Sequence, residues 1–176
     1  MAINRDKVEA QAIKLLQQGK LDKAIIELKK IVEHDPTDVR TLLKMGDTYV
    51  KLGAKKESVD AYEKAANIYT EQGFFLKAVA VYKQILRVDA SPPELHLRLA
   101  ELYQQLGLVN DALQHYQNVA LNHEQNGRPK ESLEILKRMV DLDPDNLASL
   151  RVAAKCGYRE LARVTYKGLP TLLLER

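Results

Sequence analysis

The chain has 176 residues, with 45% apolar and 29% charged side chains and a net charge of +3. That balance is globular, not disordered, and the longest apolar runs fall far short of the roughly 18 residues a membrane-crossing helix needs. A single cysteine, Cys156, excludes an internal disulfide framework, and the polar start Met1-Ala2-Ile3-Asn4-Arg5-Asp6 lacks a signal-peptide apolar segment. The expected location is the cytoplasm.

In chain order, apolar residues recur at helical spacing and predict ten helices. Their ends fall near 5–17, 21–33, 38–51, 55–71, 75–88, 93–105, 109–125, 129–141, 146–156 and 158–168. Leu95, Leu99, Leu102 and Leu106 show the pattern, with steps of 4, 3 and 4. Ser91-Pro92-Pro93-Glu94 reads as a helix start, and Asp35-Pro36 and Asp143-Pro144 as stops. Strand-like alternation is absent from this reading, so the expected class is all-α.

Glycines at 19, 53, 73, 107 and 127 are spaced by 34, 20, 34 and 20, so the recurring unit is 54 residues long. Met45-Gly46-Asp47-Thr48-Tyr49-Val50-Lys51-Leu52-Gly53 falls without a gap on Leu99-Ala100-Glu101-Leu102-Tyr103-Gln104-Gln105-Leu106-Gly107. The 20-residue gap leaves room for one helix of about 17 residues, roughly 26 Å long at 1.5 Å per residue. Helix 55–71 must therefore close one repeat and open the next.

These residues resemble the tetratricopeptide repeat, whose pattern is a bulky residue, a small one, a tyrosine, a turn glycine, an alanine and an aromatic. Around Gly107 they are Leu99, Ala100, Tyr103, Gly107, Ala112 and Tyr116; around Gly53 they are Met45, Gly46, Tyr49, Gly53, Ser58 and Tyr62. Around Gly73 they are Ala65, Ala66, Tyr69, Gly73, Ala78 and Tyr82. The resemblance covers residues 5–144, with 145–176 as a shortened terminal repeat and apolar tail. It implies a right-handed α-solenoid of antiparallel helix pairs. The 54-residue, three-helix period is similar to that of bacterial scaffolds in motility, polarity and pilus systems.

The implied function is a non-enzymatic scaffold or adaptor that binds a protein or peptide partner on its concave face. Groove candidates on the inner helices are Arg40, Leu43, Asp47, Val50, Leu97, Glu101 and Gln104. Chaperone-binding relatives grip a terminal carboxylate with Lys and Asn, whereas the first inner helix here offers Glu9 and Ile13, so no such clamp is expected. Phe74 beside core-facing Phe75 should point outward as a further contact candidate.

After Pro144 the pattern weakens. Arg151, Lys155, Arg159, Arg163 and Lys167 recur every four residues, a slowly turning basic stripe if one helix runs through them. Residues 147–176 carry six cations against two anions. That composition supports a competing reading, association with nucleic acid or an anionic membrane. Only Tyr158 and Tyr166 are there to stack on bases, which counts against nucleic acid. Thr171-Leu172-Leu173-Leu174 is apolar and could fold back onto the core or mediate self-association.

Phosphate-binding loops, nucleophile elbows and paired-cysteine metal patterns are lacking, so neither catalysis, cofactor nor metal is expected. Cys156 has no histidine within 30 residues and reads as packing. His115 and His123 share a helix but sit about 80° apart, and His96 and His123 fall on core positions.

Overall fold

A computed structural model describes residues 4–89 and 92–143, together with the backbone of 159–166 and 169–175. Among the described residues there are eight helices: α1 (Arg5–Gln17), α2 (Leu21–His34), α3 (Val39–Leu52), α4 (Lys55–Glu71), α5 (Phe75–Val88), α6 (Pro93–Gln105), α7 (Val109–Gln125) and α8 (Pro129–Leu142). These are the first eight expected helices, each end within a residue. The ninth, 146–156, lies outside the described residues, as does Cys156.

The tenth expected helix is a correction. Within the expected span 158–168, the described residues are a strand and not a helix: β1 (Arg159–Tyr166) pairs antiparallel with β2 (Leu169–Glu175), with an irregularity between Glu160 and Ala162. Val164, Thr165 and Tyr166 are β-branched or aromatic, residue types that favour the pleated backbone. Pro170 removes the donor a helix would need at that point. The strand register carries Leu172 and Leu173 opposite Arg163 and Ala162. The apolar tail is therefore one half of a hairpin, and β2 touches α8.

The chain divides into two compact units, residues 1–91 and 92–176. In the first, α1 packs on α2, α2 on α3, and α4 on both α3 and α5. In the second, α7 packs on both α6 and α8. The two sets correspond element for element at an offset of 54: Val39 to Pro93, Lys55 to Val109, Phe75 to Pro129. Both central helices, α4 and α7, are unbroken over 17 residues.

Adjacent buried pairs explain how one helix serves two neighbours. In α4, Ala61 and Tyr62, then Ala65 and Ala66, are all buried. Neighbouring residues lie about 100° apart, so such pairs widen the apolar stripe until it meets a helix on either side. In α7 the pairs are Ala112–Leu113 and Val119–Ala120.

Turns are built alike. Gly53 takes φ 71°, its N–H bonds to Val50 O at 3.0 Å, and the next N–H, of Ala54, reaches back to Tyr49 O at 2.9 Å. The left-handed backbone is what lets both bonds form, and a side chain there would be strained. The other four turn glycines adopt φ between 68° and 75°. The link into α3 is polar instead: Asp38, nearly buried, accepts from Thr41 N at 3.2 Å and Thr41 Oγ1 at 2.9 Å, and from Arg5 of α1. Lys44 of α3 reaches Glu9 of α1 at 2.6 Å, and that bond, with the lysine charge, holds the Glu9 carboxyl below its usual range.

Packing at the α3–α4 crossing leaves no room for a side chain at Gly46. A Cβ there would lie 2.5–2.8 Å from three ring atoms of Tyr62. The ring is itself nearly buried, so it cannot swing clear. Gly46→Ala should therefore cost about 1–3 kcal/mol through overpacking, despite the gain in helix propensity. Ala100→Leu, at the corresponding and fully buried position, should cost a similar amount, about 1–3 kcal/mol, while Lys130→Ala on the exposed face stays within about 0.5 kcal/mol. Urea unfolding of the three variants checks the ranking. A wild-type midpoint for Gly46→Ala would show that the crossing relaxes freely.

Candidate partner-binding site

Arg40, Leu43, Asp47 and Val50 are spaced 3, 4 and 3 apart on α3, which places them on one stripe. Arg40 and Asp47 are exposed, Val50 is 44% exposed and Leu43 is half-buried. On α6, Leu97 and Glu101 are half-buried and Gln104 is exposed. Each unit therefore presents its own short stripe, mixing aliphatic and polar groups.

Buried tyrosines fix the polar members of these stripes. The Tyr62 hydroxyl of α4 donates to Asp47 Oδ1 at 2.6 Å, and the Tyr82 hydroxyl of α5 donates to Asn67 Oδ1 of α4 at 2.8 Å. Both pairs are 15 residues apart, and the second repeats the first shifted by 20. Thus α4 gives a tyrosine back to α3 and offers a polar acceptor forward to α5. Burial, then the bond to the Asp47 carboxylate, pushes the Tyr62 phenol far above its ordinary range. It stays a donor at every physiological pH.

The second unit varies this scheme. Tyr116 is almost fully buried and its hydroxyl donates to Gln104 Oε1 at 3.0 Å. Glu101, which corresponds to Asp47, instead holds Arg98 at 3.5 Å and Arg138 of α8 at 3.6 Å. Burial raises the Tyr116 phenol, and the nearby Glu101 charge adds to the shift. Glu101, Gln104 and Tyr116 line a cavity of about 440 Å³ with Arg138, Asp141 and Leu142 of α8. It is open, polar and wide enough for a peptide side chain.

Phe74 stands at the start of α5, 48% exposed, with its ring edge-on to Tyr69 at 6.3 Å and Lys77 Nζ 4.5 Å from its centroid. Leu76 beside it is 67% exposed. Arg159 and Arg163 lie on β1, so the expected helical basic stripe does not form there. Arg151, Lys155 and Lys167 fall outside the described residues. Among the described residues, no group of three or more His, Cys, Asp or Glu is placed to hold a metal ion, and no helix is long and apolar enough to cross a membrane.

Tetratricopeptide-repeat family models match residues 39–72, 66–107 and 113–146. The chain carries tetratricopeptide repeats. The matched spans 39–72 and 66–107 overlap within α4, the helix whose tyrosine and asparagine face different neighbours. Solved structures resembling this tetratricopeptide-repeat chain include a MamA protein (20% identity, 91% of this chain and 97% of that one, TM-score 0.35). Another is TTC0263, a thermophilic TPR protein of Thermus thermophilus (18%, 85% and 97%, TM-score 0.33). A third is YrrB, described as a TPR protein with an unusual peptide-binding site (16%, 84% and 90%, TM-score 0.33). Among curated proteins, none matches the chain significantly.

The sequence names Glu101 and Gln104 as groove candidates and Tyr116 as the aromatic of the repeat pattern, but does not point to Arg138, Asp141 or Leu142. A signal was present in the 54-residue register. Arg138 and Asp141 correspond to Gln84 and Arg87, so the two units differ in charge at those places (138 − 54 = 84; 141 − 54 = 87). If the tyrosine hydroxyls set the stripes, Tyr62→Phe should cost more stability than Tyr116→Phe. The first loses a short bond to a carboxylate, whereas the Tyr116 hydroxyl is shared between the Gln104 amide at 3.0 Å and the Arg138 guanidinium, each loss being about 1 kcal/mol with the first larger. Thermal melts of the two variants, side by side, test the order. An equal or reversed order removes the distinction.

Proposed function

We propose that the chain is a non-enzymatic scaffold or adaptor that holds a protein or peptide partner along the inner-helix stripes. The observation that carries this reading is the cavity of the second unit. It is walled by Glu101, Gln104, Tyr116 and Arg138 and shares Glu101 and Gln104 with the α6 stripe. A partner segment laid along α6 can bury Leu97 contacts and send a polar side chain among groups already fixed by their own hydrogen bonds. Pre-set donors and acceptors cost little further ordering when a partner arrives. Tetratricopeptide repeats mediate protein–protein interaction as a family, in keeping with this role.

The finer assignment is to the bacterial scaffold type with a 54-residue, three-helix super-repeat, serving in a motility, polarity or pilus-type assembly in the cytoplasm. The equal offset of α3–α5 and α6–α8 and the shared helices α4 and α7 support it. In this reading residues 5–144 form the repeat region and the segment after them closes its end, with β2 against α8.

A photo-crosslinking amino acid placed at Val50 or Gln104 should capture a partner protein from the native host. The same group at Lys29 or Lys130, on outward positions of α2 and α8, should not. The purified partner should then bind Glu101→Ala or Arg138→Ala chains at least several-fold more weakly than wild type. Equal capture at all four positions would overturn the groove. Binding lost steeply with salt and untouched by these variants would favour the electrostatic alternative.

A further inference from the structure

Leu42 and Ala61 of the first unit are buried and apolar. The residues 54 positions on are His96 and His115 (42 + 54 and 61 + 54). At the α6–α7 crossing, two imidazoles thus stand where the chain's own other unit uses leucine and alanine. Their Nδ1 atoms lie 2.8 Å apart, with ring centroids at 5.1 Å and planes tilted by 36°. Tyr103 stacks on His115 at 5.6 Å and 15°. Two ring nitrogens this close must share one hydrogen: one ring donates and the other accepts.

We propose that the His96–His115 pair is a proton-sensitive latch on the α6–α7 crossing, closed with no or one added proton and released by the second. In the neutral pair, one ring carries its hydrogen on Nδ1 and points it at the bare Nδ1 of the other. One added proton goes to the outer nitrogen of the donating ring and leaves the bond in place. A second must go on the accepting Nδ1. That step removes the lone pair, sets two N–H groups head to head, and brings two cations together across 2.8 Å.

Burial sets the direction in which His96 responds to pH. One turn from His96 stand Pro92, the residue that caps α6, and Pro93, Leu99 and Ala100 within it, none of them charged. One turn from His115 on α7 stand Asp111, Ala112, Asn118 and Val119, of which only the exposed Asp111 is charged. α8 buries Ser132, Ile135, Leu136, Met139 and Val140, while Lys130, Glu131, Glu134 and Lys137 are exposed and Arg138 is held by Glu101. Burial alone depresses the His96 imidazole below its ordinary range. A group lowered on folding stabilises the fold above its unfolded value, about 6.5 for histidine, and that contribution is lost as pH falls through the folded value. The latch therefore releases on acidification. Tyr103 and His115 adjoin Gln104 and Tyr116, so release also disturbs the wall of the cavity.

Hydrogen exchange on the full chain between pH 7.5 and 5.0, corrected for intrinsic exchange chemistry, tests this without any partner. Amides of α6 and α7 should lose protection tenfold or more relative to those of α3 and α4, whose crossing carries Leu42 and Ala61. The double variant His96→Leu with His115→Ala, which installs the first unit's pair, should abolish the difference. Equal acid losses in both units, or a loss that persists in the double variant, would overturn the latch. Should that variant fail to fold, NMR titration of the native imidazoles decides. Two separated steps with His96 the lower support the latch, and two independent titrations near the ordinary histidine value refute it.

Discussion

The ring of Tyr62 occupies the space that a side chain on residue 46 would need, and its hydroxyl is tied to the next residue, Asp47. One aromatic side chain therefore sets both how near α4 comes to α3 and what polar group α3 shows on its exposed stripe. Close approach of helix axes needs a small residue on one side and a large flat one on the other. The same arrangement, shifted by 20 residues, puts Ala66 and Asn67 on α4 and Tyr82 on α5. Shifted by 54, it puts Ala100 and Glu101 on α6 and Tyr116 on α7. The lattice of helices follows from repeating that contact.

Where the contact is altered, the surface changes character. Glu101 is taken up by two arginines, so Tyr116 moves one turn along α6 to Gln104. The result is a cavity with a guanidinium, carboxylates and an amide in fixed positions, in place of a single tyrosine–aspartate bond. Exposed ion pairs of this sort add little to stability. Their arrangement is better understood as shaping what can be recognised there. At the next step of the pattern, Leu121 and Leu136 replace asparagine and tyrosine, and the polar tie is given up for apolar packing.

The helices were legible because several signals agreed at each boundary. Glycine at a left-handed turn, small residues at crossings and apolar steps of 3 and 4 all pointed to the same ends. The dual role of α4 was legible from the 20-residue glycine gap alone. The hairpin was not, because Leu161, Ala162 and Tyr166 also satisfy a helical spacing, and over eight residues the two periods are poorly separated. The histidine pair was hidden for a different reason. His96 and His115 are 19 residues apart on separate helices, and only the antiparallel packing of α6 on α7 brings their nitrogens together. Arg138 escaped for the same cause: its partner Glu101 lies two helices away along the chain.

A helix that belongs to two repeats at once also governs how such a chain can change length. In an array of separate helix pairs, one pair can be gained or lost and its neighbours meet across the gap. Here, removing 34 residues would take away either the tyrosine that α3 needs or the asparagine that α5 needs, because both sit on α4. The smallest block that can be duplicated or deleted with every contact intact is the full three-helix set of 54 residues. Any surface carried on these repeats is therefore inherited in steps of three helices, each step free to diverge, as Leu42 and His96 have done.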